Sequence, residues 1–183
     1  MGLKSGRAGM AGSIQNIVLA IILTVVLLGT AAVVYYFITM PREGEAFTEF
    51  YILPPEGMEQ GYPTRFVMQG DGVVSVTYGS GGQEVAGESG RVILGVVNHE
   101  YEESTYLIKV VIDGEPVDIS FDGAVVDVLG PVVLAHEEKW EHEIGFSPRH
   151  VGDAQKVEFV LYKDGVPCFE EPLYLWIDVE EQG

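Results

Sequence analysis

KWEHEIGF, residues Lys139 to Phe146, puts Trp140, His142, Ile144 and Phe146 on one side of an extended chain and Glu141 and Glu143 on the other. Successive side chains of a strand point to opposite faces, so the segment predicts a strand buried on one side and wet on the other. Val157, Phe159 and Leu161 repeat that period, as do Leu173, Leu175, Ile177 and Val179. Strands buried on one side only are what a two-sheet sandwich needs. From Phe47 onward the chain runs in short stretches rich in Val, Ile, Tyr and Phe, separated by Gly, Pro and Asp. Strands are therefore expected at residues 47–53, 65–68, 73–78, 91–97, 105–112, 117–121, 125–128, 139–146, 156–162 and 173–179. Asp71-Gly72, Asp113-Gly114, Asp122-Gly123 and Asp164-Gly165 each sit between apolar runs. Asp-Gly supplies the positive backbone angles of tight hairpins, so the sheets are expected to be antiparallel meanders. The Gly-rich segment Gly79 to Gly90 is followed by a strand where a phosphate-binding loop needs a helix, and it reads as a flexible linker.

Before this region stands IVLAIILTVVLLGTAAVVYYFITM, Ile17 to Met40, with no charge in 24 positions. As a helix it spans about 36 Å, against a hydrocarbon core of about 30 Å. It exceeds the apolar core of a cleaved signal and lacks the polar face of a soluble core helix. Lys4 and Arg7 precede it and all 28 acidic residues follow. Positive charge stays cytoplasmic, so the expected layout is a cytoplasmic tail (1–16), a transmembrane helix (17–40), a linker (41–46) and an extracytoplasmic β-sandwich domain (47–183). Tyr35, Tyr36 and Phe37 fall where the helix meets the outer headgroups. Pro41 ends the helix, and the brief linker is expected to hold the domain near the bilayer.

From Glu43 onward the 28 acidic residues face seven basic ones, Arg65, Arg91, Lys109, Lys139, Arg149, Lys156 and Lys163, an excess of 21 negative charges. Such a surface repels nucleic acid and anionic lipid, so neither is an expected ligand. The single cysteine, Cys168, leaves no intrachain disulfide and reads as a small apolar residue near a strand end. The densest group of metal-ligating residue types is His136, Glu137, Glu138, Glu141, His142 and Glu143. Strand alternation separates His142 from Glu141 and Glu143, so the group reads as a solvated edge rather than a metal site. Asp118, Asp122 and Asp127 lack calcium-loop spacing. No Ser or Cys stands in a nucleophile elbow, and no catalytic, cofactor-binding or metal residue is assigned; the protein is not expected to be an enzyme.

The strings FTEFYILPPEG (47–57), GYPT (61–64), VILGVVNHEYEESTYLIKV (92–110), GDAQKVEFVLYKDG (152–165) and LYLWIDV (173–179) resemble an uncharacterised, mainly archaeal family of membrane-anchored proteins. That resemblance covers roughly residues 46–180 and implies a single-pass or multi-pass anchor followed by an immunoglobulin-like β-sandwich. It implies no activity, because the family is known as a domain of unknown function. Residues 69–90 look like an insertion relative to it, and Tyr174 and Trp176 are expected to pack in the core or at its rim. Arg7-Ala8-Gly9 ahead of the apolar helix resembles the processing site of archaeal type IV pilins and archaellins. The expected function is a non-enzymatic cell-envelope protein that scaffolds or binds other membrane or envelope proteins, or itself. The alternative is a pilin-like filament subunit packed through the same helix.

Overall fold

A computed structural model of the chain describes residues 8–39, 45–55, 61–79 and 82–183. The chain divides into two compact units, Met1–Gly44 and Glu45–Gly183. In the first, helix α1 runs over Ala8–Thr39, so it begins inside the segment expected as a tail and covers about 48 Å. Within it Asn16–Tyr36 is long and apolar enough to cross a membrane. The hydroxyl groups of Thr24 and Thr30 donate to the carbonyls of Ala20 (2.9 Å) and Val26 (2.5 Å), so both threonines meet their polar need inside the helix. Met40 and Pro41, expected to end the helix, lie outside the described residues.

The second unit is a mainly β, sandwich-like domain. Its strands are β1 (Phe47–Leu53), β2 (Pro63–Gln69), β3 (Gly72–Tyr78), β4 (Gln83–Ala86), β5 (Gly90–His99), β6 (Ser104–Ile112), β7 (Glu115–Val117), β8 (Ile119–Phe121), β9 (Ala124–Val126), β10 (Leu129–Leu134), β11 (Lys139–Phe146), β12 (Gly152–Lys163), β13 (Val166–Pro167) and β14 (Leu173–Glu181). One sheet has the order β1-β5-β11-β8-β9. The other is nine-stranded, β10-β6-β12-β14-β2-β3-β4, with β13 beside β12 and β7 beside β6. Every ladder is antiparallel except β14–β2, where Asp178 to Glu181 run parallel to Arg65 to Met68.

Strand alternation does what the sequence implied on three strands, whereas on β11 Ile144 and Phe146 are buried but Trp140 is half-buried and His142 exposed. On β6 and β12 every second residue is buried, and Ile177 and Val179 turn inward from β14. The two sheets meet through Phe146 of β11, whose ring lies 5.8 Å from Phe66 of β2 and 5.8 Å, edge-on, from Phe159 of β12. Asp113-Gly114, Asp122-Gly123 and Asp164-Gly165 each have both φ values positive, the geometry of a type I′ hairpin. The fourth turn is shifted: Gly70 carries the positive φ, and Gly72 already belongs to β3.

Three sequence expectations change. The predicted strand 117–121 is two strands, because the chain leaves β7 in the larger sheet at Asp118 and enters β8 in the smaller one. The segment 79–90 carries β4, which pairs with β3 from Ser75↔Ala86 to Tyr78↔Gln83; a partner strand supplies the order its glycines lack. Strand β10 was unexpected because Gly130-Pro131 breaks its pattern, and the structure places a register shift there, between Leu129 and Val132.

Candidate functional site

Two regions gather the polar and aromatic groups that a function can use. The first is the sandwich end that holds Asn98-His99-Glu100-Tyr101. Asn98 is fully buried, and its Nδ2 donates to the carbonyls of Glu102 (2.7 Å) and Leu134 (2.8 Å) while its Oδ1 accepts the Glu100 N–H (2.9 Å). Its backbone also exchanges hydrogen bonds with Glu138 (3.1 Å) and Glu137 (2.6 Å). Asn98 therefore fastens the β5–β6 turn to the β10–β11 turn, with no buried amide atom left unpaired.

His99 presents Nδ1 to Glu137 at 2.9 Å and Nε2 to Glu49 at 3.7 Å, and its ring lies 4.6 Å from that of Phe47. The hydrogen bond to Glu137 raises its pKa above the ordinary histidine value, and the same bond holds Glu137 below the usual carboxylate range. His136 accepts the Tyr101 N–H on Nδ1 (3.2 Å), and its Nε2 lies 3.6 Å from Glu137. Behind this surface Glu100 turns inward. Its carboxylate meets Lys163 Nζ at 2.8 Å and accepts the Thr48 hydroxyl at 2.8 Å, and Thr48 in turn touches the Tyr106 hydroxyl at 2.9 Å. The Lys163 hydrogen bond pulls the Glu100 carboxyl down against the opposing effect of burial. Burial pushes the Cys168 thiol up from its ordinary value.

The string from His136 to Glu143 is dispersed as alternation requires. His136 and Glu137 lie in a turn; Glu138 accepts the Ala135 N–H (2.9 Å). Glu143 pairs with Arg91 (3.1 Å) on the outer face of the smaller sheet. On that face Tyr51 crosses Gly95, with its hydroxyl donating to Glu141, which also meets Lys139 at 2.9 Å. Those two bonds, Tyr51's first, lower the Glu141 pKa. His142 turns the other way, 5.0 Å from Trp140 and edge-on to Phe121 at 5.6 Å. Asp118 pairs with Arg149 at 3.4 Å, Asp122 shapes a hairpin turn and Asp127 is exposed. Among the described residues no three His, Cys, Asp or Glu are arranged to hold a metal ion.

The second region is the outer face of the nine-stranded sheet. Buried Val157, Phe159 and Leu161 on β12 force Lys156, Glu158, Val160 and Tyr162 outward, and on β6 the outward residues are Thr105, Leu107, Lys109 and Val111. Register sets Trp176 of β14 opposite Lys156 and Tyr174 opposite Glu158. Tyr174 and Trp176 are 53% and 55% exposed, which corrects the expectation that they pack in the core or at its rim. The reason is parity: they alternate with Leu173, Leu175 and Ile177, whose side is the buried one. Lys156 Nζ lies 4.8 Å from the Tyr174 ring centre, and Lys109 Nζ lies 5.2 Å from that of Tyr162.

Six of the domain's seven cations are paired: Arg65 with Glu180, Arg91 with Glu143, Lys139 with Glu141, Arg149 with Asp118, Lys156 with Glu158 and Lys163 with Glu100. Lys109 alone has no carboxylate within ion-pair distance among the described residues. Sequence reasoning passed over Lys109 and the Thr48–Glu100–Lys163 network. The signal for the outer face was present, since Lys156, Glu158, Val160 and Tyr162 share the parity opposite to the apolar row.

Comparison with known families matches residues 75–178, more than half of the chain, to the family described as domain of unknown function (DUF1616). The match includes residues 75–90, so this part of the segment read as an insertion lies inside the family's domain. No curated protein matches the chain.

Proposed function

The chain belongs to the DUF1616 family, and on that premise we propose that it is a non-enzymatic, membrane-anchored envelope protein whose extracytoplasmic domain docks protein partners through the outer face of its nine-stranded sheet. The observation that carries this reading is the pair Tyr174 and Trp176, half exposed beside the lysines of β6 and β12. Aromatic residues in the open are the side chains most enriched at the energetic centres of protein interfaces. Lys4 and Arg7, ahead of an apolar helix and far from any carboxylate in sequence, support an inside N-terminus and an outside domain. The polar network around Glu100 supports a structural role, because each of its groups is engaged by another.

The test is chemical cross-linking in native membranes with mass spectrometry, comparing the unaltered chain with Trp176→Glu. A defined set of protein cross-links that Trp176→Glu abolishes supports the reading; an unchanged set, or none, overturns it. A filament subunit is the second reading, favoured by the sequence Arg7-Ala8-Gly9 ahead of a long helix with no polar face. The mass of the mature N-terminus in the same sample tests it, since an intact start at Met1 excludes leader processing.

A further inference from the structure

The outward positions of β2, β6, β14 and the part of β12 past its bulge carry three cations, Arg65, Lys109 and Lys156, and three carboxylates, Glu158, Asp178 and Glu180. Glu84 of β4, in the same outward row as Thr77 and Arg65, adds a fourth carboxylate, so this face carries a net of one negative charge in a region with an excess of 21. It is also where Trp176, Tyr174 and Tyr162 are displayed, and where Lys109 stands, the one cation of the domain without a carboxylate partner among the described residues. These three properties belong together. Two copies of so acidic a domain repel one another across most approaches, and a nearly neutral face is the approach that keeps that cost small. A lysine left over an aromatic ring, in a chain where carboxylates outnumber cations, has its counter-charge available on another molecule.

We infer that the outer face of the nine-stranded sheet is a self-association surface, occupied by the same face of a second copy of this chain. The inference rests on the docking reading above and names its partner. A two-fold pairing is isologous, so each Lys109 comes against the partner's face, whose carboxylates Glu158, Asp178 and Glu180 already serve Lys156, the Ala154 N–H and Arg65 and have further acceptor sites for a second cation. Four strands about 4.8 Å apart and about eight residues long give a footprint on the order of 500 Å², before side-chain relief is counted. That is somewhat under the roughly 800 Å² per partner of a standard stable interface. Anchoring both copies in one membrane offsets the shortfall, because confinement raises the effective concentration of each for the other. Trp176 and Tyr174 form the apolar centre, and the Lys109 ammonium supplies register rather than most of the affinity.

The experiment places a photoreactive benzoylphenylalanine at position 176 of the full-length chain in its native membrane, and reads the mass of the adduct. The expected product is twice the chain mass, with the cross-link mapped to β12 or β14 of the second copy. Lys109→Glu is expected to lower its yield by roughly tenfold, since a charge is reversed inside a contact, while Lys109→Arg keeps it. The same photoreactive group at Asp122, in a hairpin turn away from this face, is expected to give no such adduct. An adduct only with a different protein overturns the second-copy inference and leaves the docking reading standing. No adduct at position 176 overturns both. An adduct of twice the chain mass that is insensitive to Lys109→Glu, or equally strong from position 122, assigns the association to another part of the chain and also overturns the inference.

Discussion

Gly95→Ala is expected to destabilise the β domain although a small strand residue merely gains one methyl group. The ring of Tyr51 on β1 lies flat across Gly95 of β5 to reach Glu141 on β11, and a Cβ at Gly95 would fall deep inside the Tyr51 ring contact. The ring must move away. If that returns on the order of 80 Å² of apolar surface to water, the loss is about 2 kcal/mol. The hydrogen bond to Glu141 is lost with it. Replacing glycine restricts the unfolded chain and returns about 0.5–1 kcal/mol. The net is a destabilisation of about 1–1.5 kcal/mol, or about 4 °C in Tm for a domain of this size. The assay is urea unfolding of residues 45–183 in a double-mutant cycle with Tyr51→Ala. In the Tyr51→Ala background the clash is gone, and Gly95→Ala is expected to be neutral or stabilising by up to about 1 kcal/mol. An equal cost in both backgrounds refutes the reasoning, because the penalty would then come from the backbone and not from the ring that crosses it.

Lys163→Met leaves Glu100 facing the interior without its cation and is expected to cost about 2–3 kcal/mol in the same unfolding assay, reduced from a fully buried pair by partial exposure. Because the folded Glu100 pKa is lowered, the stability it contributes is fully present above its ordinary value of 4.5 and is lost as pH falls through the lower folded value. Glu100→Gln is expected to flatten that acid limb; an unchanged limb counts against the pairing. His99 is expected to titrate above 6.5 in an NMR pH series, and Glu137→Gln to bring it down, since the Glu137 bond is the largest cause of the rise. With the folded value raised, the His99 contribution is complete below 6.5 and is lost as pH rises through the folded value, so a histidine that titrates at or below 6.5 contradicts the geometry.

Elements whose cause is local are legible in the sequence. A long uncharged run makes a helix apolar on all sides, and a period of two makes strands with one buried face, so residues 47–53 and 139–146 match their predicted limits. Asp-Gly pairs fixed three hairpins because their backbone preference needs no distant partner. Tertiary structure decided whatever depends on a partner far along the chain. The parallel ladder between β14 and β2, the change of sheet at Asp118 and the ordering of Gln83–Ala86 against β3 all come from pairing that periodicity cannot specify. The candidate sites divide the same way. Parity on β12 and β14 already turned Lys156, Tyr162, Tyr174 and Trp176 outward. That Glu100 meets Lys163 and Thr48, that Tyr51 crosses Gly95, and that Lys109 has no carboxylate partner among the described residues follow only when two sheets bring strands together across tens of residues, because an ion pair forms by distance in space and not in sequence.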